Sequence, residues 1–200
     1  MVIAKVMTMA NDCLIFDFET MSTNPYDGVV VSLGMLAYDE KAVYEYEDLV
    51  AKAVFIKFDV GEQVQRYGRK VMQSTVDWWA TQNAEAKKMI RPMDTDVSID
   101  TLYDSVVAYC ANPKKVYTRG NTFDPMFMES LCLATGNPEP YKFYNIRDTR
   151  TMIEGLSWGS GVSNKYIPDG LEDKFIAHDP RHDIAMDVMR IQTIIQALEE

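Results

Sequence analysis

A short apolar run near the start of the chain carries two carboxylates. The run covers residues 13–20, and its alternating apolar faces predict a buried β-strand. Residues two apart on a strand project to the same side, so Asp17 and Glu19 would lie roughly 7 Å apart on one face. Two buried carboxylates repel each other unless they are protonated or bridged by cations. Because oxygen ligands without a cysteine or multi-histidine cluster favour Mg²⁺ or Mn²⁺ over Zn²⁺, the strand predicts a magnesium or manganese site.

Asp124 is a further candidate ligand in the middle of the chain. It lies where a predicted strand at 116–118 leads into a predicted helix at 124–133, and Pro125 suits the first turn of that helix. The same position suits a helix cap. For Asp124 taken alone, both interpretations stay open.

The last predicted helix, at 183–198, places a third set of candidates. Its apolar residues recur every three or four positions and form a buried stripe: Ile184, Val188, Ile191, Ile195 and Leu198. Asp187 falls on the flank of this stripe and needs a partner, either a metal ion or an arginine or lysine. His182 is expected on the preceding loop, where a surface or capping role is the alternative to catalysis. Asp179 and Asp183 are interpreted as partners of the helix N-terminus.

Length, charge and cysteine content limit the classes of protein to which the chain can belong. The 200 residues suit one domain over residues 1–200. Three cysteines, an odd number in apolar contexts, favour a reduced, cytoplasmic protein. The first dozen residues lack a sustained apolar stretch, so neither a signal peptide nor a membrane span is expected. A net charge of −10 argues against a polyanionic partner, but only weakly for an enzyme whose acids bind metal ions.

The order of predicted elements favours an α/β fold of the ribonuclease H type, with a central mixed sheet flanked by helices. Besides the elements already described, we expect strands at 29–38 and within 43–58, a helix at 76–90, and a helix ending near Cys110. The order alone is not diagnostic of the fold.

Taken together, the acidic motifs and the histidine resemble the DEDD superfamily of 3′–5′ exonucleases, in the subgroup with a histidine. The matching residues are Asp17, Glu19, Asp124, Asp187 and His182. Within this superfamily the chain is most similar to the group of exonuclease A of T-even bacteriophages and its bacterial ribonuclease relatives. The similarity covers the stretches 15–21, 74–79, 119–124, 145–151 and 177–187.

The resemblance implies a mechanism and a substrate. Two Mg²⁺ or Mn²⁺ ions would be held by the four carboxylates, and His182 would be the general base. The enzyme would release 5′-mononucleotides from single-stranded nucleic acid with a free 3′ end, with DNA favoured over RNA. Thr20 and Met21 would contact the terminal nucleotide. Arg150 would either bind a phosphate or form an internal ion pair with Asp148.

Several alternatives remain open at this stage. An exoribonuclease of the same superfamily would carry the same motifs, because discrimination depends on contacts to the 2′-hydroxyl. A non-catalytic nucleic-acid-binding module is disfavoured because all the metal-binding acids are present. The chain could form a homo-oligomer, and a phage-encoded protein would act in the host cytoplasm. Of the adjacent Trp78 and Trp79, one is expected in the core, and packing of both is the favoured interpretation.

Overall fold

A five-stranded mixed sheet lies at the centre of the computed structural model, which describes residues 12–199. Its strands are β1 (Cys13–Thr20), β2 (Val30–Tyr38), β3 (Val54–Lys57), β4 (Lys115–Thr118) and β5 (Ile146–Asp148). They are ordered β3-β2-β1-β4-β5, with β2 antiparallel to β1 and β3, and with β1, β4 and β5 parallel. The predicted α/β class with a mixed sheet is confirmed.

Eight α-helices accompany the sheet in the described part of the chain. They are α1 (Tyr46–Lys52), α2 (Val60–Tyr67), α3 (Gln73–Thr81), α4 (Ala84–Met89), α5 (Leu102–Tyr109), α6 (Asp124–Thr135), α7 (Thr149–Leu156) and α8 (Pro180–Glu199). None of these helices combines the length and the apolar character that a membrane span requires.

The sequence pattern misjudged the segment 43–58, of which only β3 is a strand. Its middle part is α1, in which Tyr46 and Leu49 are buried three residues apart on one face. Acidic residues in the first turn of α1 and Lys52 in the last turn suit the helix dipole.

The single helix predicted at 76–90 is also wrong, because the chain forms two helices there. The side chain of Asn83 accepts a hydrogen bond of 2.8 Å from the backbone N–H of Ala86 and begins α4. The short elements α2, β5 and α7 were not predicted.

The two faces of β1 belong to different hydrophobic cores. Leu14, Phe16 and Phe18 pack in the core that includes residues of α5 and α6. Cys13 and Ile15 point to the other face and pack in the core that includes residues of α8. Since side chains alternate along a strand, Asp17 and Glu19 continue this second row and face α8.

A glycine on β2 lets the start of α8 come close to the sheet. Gly34 is paired with Asp17 across the β1–β2 ladder. A β-carbon on Gly34 would lie 2.7 Å from the carbonyl carbon of Pro180, so only glycine fits. The helix begins at Pro180, which suits a first helical turn. His182 therefore lies in the first turn of α8, not on the preceding loop as predicted.

Candidate active site

Three carboxylates meet where β1 passes the start of α6. Asp17 and Glu19 extend from the α8-facing side of β1, and Asp124 is the first residue of α6. The carboxylate of Asp124 accepts a hydrogen bond of 3.0 Å from the backbone N–H of Phe18. β4 pairs with β1 only as far as Ile15. Beyond that point, this hydrogen bond joins the start of α6 to β1. Phe123, not Asp124, is the N-cap residue of α6, so the capping interpretation of Asp124 is wrong.

A fourth carboxylate and an imidazole complete the cluster. Metal-ligating atoms of Glu19, His178 and Asp183 all lie within 4.8 Å of one another. Asp183 is on α8, and its carboxylate accepts a hydrogen bond of 2.8 Å from the backbone N–H of His178. The bond holds the segment before α8 against the helix, so that both side chains approach β1 together.

His178 is held in an unusual backbone conformation between two tryptophans. Its φ angle is +66°, in the left-handed region that non-glycine residues rarely adopt. The imidazole packs edge-on against Trp78 and Trp79, with ring centroids 4.9 and 6.0 Å away. Such a conformation persists only where the surroundings enforce it, and it clusters at functional sites.

The four carboxylates destabilise one another's charged forms. Burial, followed by the neighbouring acids, raises the pKa of Asp17 and of Glu19 well above the ordinary values. Burial also raises the pKa of Asp124 and of Asp183 to about 7. Within residues 12–199, none of the four forms an ion pair with a lysine or arginine. Four carboxylates that form no ion pair with a lysine or arginine have the chemistry of a site for a hard divalent cation.

Asp187, predicted as the fourth metal ligand, is instead bound by protein groups. Arg119 and Arg190 lie 2.5 and 2.7 Å from one of its carboxylate oxygens. The hydroxyl of Thr149 donates to the other oxygen at 2.5 Å. Asp187 is close enough to contribute to the raised pKa of Asp17. Both carboxylate oxygens of Asp187, however, already accept hydrogen bonds from protein groups. The arrangement is the salt bridge that the sequence left open as the alternative for this residue.

His182, predicted as the general base, is turned to a different partner. Its Nδ1 shares a hydrogen bond of 2.8 Å with the hydroxyl of Tyr46, and the two rings pack edge-on. It does not belong to the group of side chains that surrounds Glu19. The structure therefore brings together Asp17, Glu19 and Asp124 as predicted, but joins them to His178 and Asp183.

The sequence contained a signal for this second pair. The His-x₄-Asp spacing occurs twice, as His178 with Asp183 and as His182 with Asp187. The sequence predicts Asp179 and Asp183 as partners of the helix N-terminus. Asp179 fills this role by accepting a hydrogen bond of 3.1 Å from the N–H of Arg181, whereas Asp183 accepts one from the N–H of His178.

Thr20 and Met21, the predicted contacts to the terminal nucleotide, directly follow Glu19 and both form hydrogen bonds within the protein. The hydroxyl of Thr20 donates to the carbonyl oxygen of Ser22 at 2.7 Å. Met21 is partly buried, and its backbone N–H donates to the carbonyl of Val29.

Arg150 presents a guanidinium group near the cluster. Its NH1 is the nearest side-chain atom to the space beside Gly120, and its charge lowers the pKa of Asp124. In the described residues it forms no ion pair. Asp148 contacts Arg150 through its backbone: it accepts a hydrogen bond of 2.9 Å from the N–H of Arg150. Because the guanidinium group does not pair with Asp148, the alternative of an internal side-chain ion pair is wrong.

Of the two adjacent tryptophans, Trp79 is 2% exposed and belongs to the core, whereas Trp78 is 43% exposed. The expectation that one of them is buried is confirmed, and the favoured packing of both is wrong.

Comparison with known proteins assigns the family. Residues 12–191 match the family described as the 3′–5′ exoribonuclease Rv2179c-like domain. The chain belongs to this family. An exodeoxyribonuclease of Enterobacteria phage T4 is 34% identical in an alignment that covers 89% of this chain and 86% of that protein. The predicted 3′–5′ exonuclease class and the resemblance to the phage exonuclease group are confirmed.

Solved structures support the fold. The zinc-bound complex of E. coli exonuclease I with single-stranded DNA superimposes with a TM-score of 0.59 and 11% identity, over 94% of this chain and 42% of that one. The complex of the same enzyme with a dA16 oligonucleotide gives a TM-score of 0.61 and 13% identity, also over 94% of this chain and 42% of that one. The chain thus spans about two fifths of exonuclease I, and the similarity confirms the ribonuclease H-like fold.

Proposed function

We propose that this 3′–5′ exonuclease hydrolyses single-stranded DNA from a free 3′ end and releases 5′-mononucleotides. Asp17, Glu19, Asp124 and Asp183 would hold two Mg²⁺ or Mn²⁺ ions, and His178 would be the general base. The observation that carries the proposal is the convergence of four carboxylates, without basic partners, beside one imidazole.

The proposal replaces two of the residues inferred from the sequence. Asp183 takes the place of Asp187, because both oxygens of Asp187 already accept hydrogen bonds from Arg119, Arg190 and Thr149. His178 takes the place of His182, because His178 lies against Glu19 while His182 is bound to Tyr46. The new pair keeps the His-x₄-Asp spacing of the resemblance.

The residues of the chain have defined tasks in this reaction. Two bound ions would supply a lowered pKa of the attacking water and stabilisation of the leaving 3′ oxygen. His178 would take the proton of that water on a ring nitrogen. Burial lowers the pKa of His178, so its ring is neutral at pH 7 and can accept a proton. The edge contacts of Trp78 and Trp79 fix the plane of the ring.

The groups around the cluster would bind the end of the strand. Arg150, which has no acidic partner in the described residues, would bind a phosphate next to Asp124. Thr20 and Met21 stay the proposed contacts to the terminal nucleotide, since both follow Glu19 directly. A free and unstacked 3′ end is needed to reach the cluster, so single strands would be degraded faster than blunt duplexes.

The preference for DNA is supported by the phage relative, which is an exodeoxyribonuclease. The family description, an exoribonuclease, favours RNA as the second candidate. Side-by-side digestion of DNA and RNA oligomers of matched sequence, with Mg²⁺ and 5′ label, decides between them. Faster digestion of the RNA would overturn the DNA assignment and leave the exonuclease mechanism unaffected.

The two histidines provide the central test of the mechanism. We expect His178→Ala to lower turnover about 10²- to 10⁴-fold, the usual contribution of acid–base catalysis. His182→Ala is the matched control, four residues away, and the folded protein should keep most of its activity. Release of mononucleotides is measured together with the folded fraction by circular dichroism. A larger loss in His182→Ala than in His178→Ala would refute the assignment.

A further inference from the structure

The stretch from Lys142 to Arg150 has a charge pattern unlike that of the whole chain. The protein carries a net charge of −10, but this stretch contains three basic residues and one acidic residue. The basic side chains, those of Lys142, Arg147 and Arg150, are exposed. None of the three forms an ion pair with any acidic residue in the described part of the chain. Three neighbouring cations without acidic partners form a surface suited to an anion.

The stretch runs along one edge of the sheet to the carboxylate cluster. β5 is the last strand in the order of the sheet and pairs with β4 on one side. Arg147 is the central residue of β5, and Arg150 follows in the first turn of α7, where its charge acts on Asp124. Phe143 and Tyr144 precede the strand at its other end. Because an extended chain spans at most about 3.6 Å per residue, the six residues from Tyr144 to Arg150 cover no more than about 20 Å.

Two exposed aromatic rings form the far end of this stretch. Phe143 is 75% exposed and Tyr144 is 59% exposed, and their rings pack edge to face with centroids 5.3 Å apart. The guanidinium group of Arg147 donates hydrogen bonds of 2.8 Å to the carbonyl oxygens of Tyr144 and Ile146, which holds the backbone of this segment. Both aromatic residues line a cavity of about 640 Å³, whose wall also contains two lysines and one glutamate.

Protection of the sheet edge explains only part of this pattern. Charged side chains on an edge strand prevent pairing with another chain, and Arg147 suits that purpose. Exposed aromatic rings work against it, because apolar surface beside an open edge promotes association. Cations combined with aromatic rings are instead typical of surfaces that bind single-stranded nucleic acids, where the cations contact phosphates and the rings stack with bases.

We infer that Lys142, Phe143, Tyr144 and Arg147 form a track, the β5 track, for the part of the single strand upstream of the cluster. The inference rests on the proposed exonuclease function. Lys142 and Arg147 bind phosphates, and the two rings stack with bases irrespective of sequence. A stacked strand rises about 3.4 Å per nucleotide, so a strand whose 3′ end is at the cluster reaches the rings with about six nucleotides. Shorter substrates react without the track.

Binding of a 12-nucleotide single-stranded DNA tests the β5 track without hydrolysis. The oligomer carries a 5′ fluorophore and is titrated in excess chelator while fluorescence anisotropy is followed. We expect Phe143→Ala/Tyr144→Ala to raise Kd at least about 5-fold, the contribution of one stacked base. Lys142→Gln/Arg147→Gln should flatten the slope of log Kd against log salt by about 1.4, because each phosphate contact on a single strand contributes about 0.7.

The matched control changes one lysine and one arginine elsewhere on the surface. Lys41 and Arg91 are also exposed and form no ion pair within residues 12–199. Lys41 follows β2, and the carbonyl oxygen of Arg91 accepts a hydrogen bond from Lys57 on β3, at the opposite edge of the sheet. Lys41→Gln/Arg91→Gln removes the same charge and should leave the salt dependence unchanged.

Substrate length separates the track from a structural role. In the exonuclease assay, Phe143→Ala/Tyr144→Ala should raise KM for the 12-nucleotide substrate at least about 5-fold. For a dinucleotide, KM and kcat should stay at the wild-type values, because a dinucleotide at the cluster does not reach the rings. A variant with a damaged fold would affect both substrates alike.

Wild-type affinity of Phe143→Ala/Tyr144→Ala for the 12-nucleotide strand overturns the inference. An equal rise of KM for the dinucleotide, or an equal loss of salt dependence in Lys41→Gln/Arg91→Gln, does the same. These results leave the exonuclease function standing. Conversely, binding that depends on the β5 track in a protein without nuclease activity would support the track and refute the proposed function.

Discussion

The carboxylate cluster predicts that removing one of the proposed metal ligands stabilises the metal-free protein. Asp124 is 3% exposed and has no ion pair in the described residues, and burial raises its pKa to about 7. Asp124→Asn removes the charge but keeps an oxygen that can accept the hydrogen bond from Phe18. The variant should lose turnover and unfold at a higher denaturant concentration.

The magnitude follows from the pKa of the folded and unfolded states. Unfolded Asp124 has the ordinary pKa of 3.8, so between this value and about 7 the folded protein holds a proton that the unfolded chain releases. Wild-type stability therefore falls as pH rises through this window. At 1.36 kcal/mol per pH unit, the charged carboxylate costs up to about 4 kcal/mol at pH 8. At pH 5 the same calculation gives less than half as much.

Urea unfolding in excess chelator, at pH 8 and pH 5, measures both values. We expect Asp124→Asn to exceed the wild type by about 2–4 kcal/mol at pH 8 and by less than half of that at pH 5. Added Mg²⁺ should reduce the difference, since it binds the folded wild type more tightly. Asp179→Asn is the control, because Asp179 is buried but paired with Arg181, and this variant should lose stability. An Asp124→Asn variant less stable than the wild type at pH 8 would refute the reasoning.

Two further predictions concern the support of the cluster. Asp187→Asn should cost about 3–5 kcal/mol in thermal unfolding, because Arg119 and Arg190 lose a buried counter-ion, while its folded fraction keeps more turnover than Asp183→Asn. Equal loss of turnover in both variants would argue that Asp187 is a ligand after all. Gly34→Ala should cost about 1–3 kcal/mol and lower turnover, because the added methyl group collides with Pro180 and displaces α8 from Asp17. Gly155→Ala, with open space around the added carbon, is its control, and equal effects of the two would contradict this account of Gly34.

The first half of the site could be predicted because its signal is local. Alternation along β1 alone places Asp17 and Glu19 on one face, whatever packs against it. Asp124 follows from the change from strand to helix in the sequence. Segment 43–58 shows the limit of such patterns, since a short helix such as α1 presents too few turns for a clear period.

The second half of the site could not be decided locally, because His-x₄-Asp occurs twice with an offset of four residues. Asp183 and Asp187 are one helical turn apart and lie on the same side of α8. Which of them meets the cluster depends on Arg119, which comes from the segment after β4 and is distant in the sequence. Only the tertiary structure shows that this arginine is already bound to Asp187.

The placement of the arginines explains how a strongly acidic chain keeps a metal site available. Arg119 binds both Asp187 and the backbone carbonyl of Asn164, and Arg190 binds Asp187 and the carbonyl of Tyr166. The two guanidinium groups thus hold α8 to the segment that precedes it without neutralising the carboxylates one turn earlier. Had either arginine paired with Asp183, the cluster would have lost the repulsion that a divalent cation relieves. The ion pairs at Asp187 therefore fix the orientation of α8 and leave Asp183 available as the proposed metal ligand.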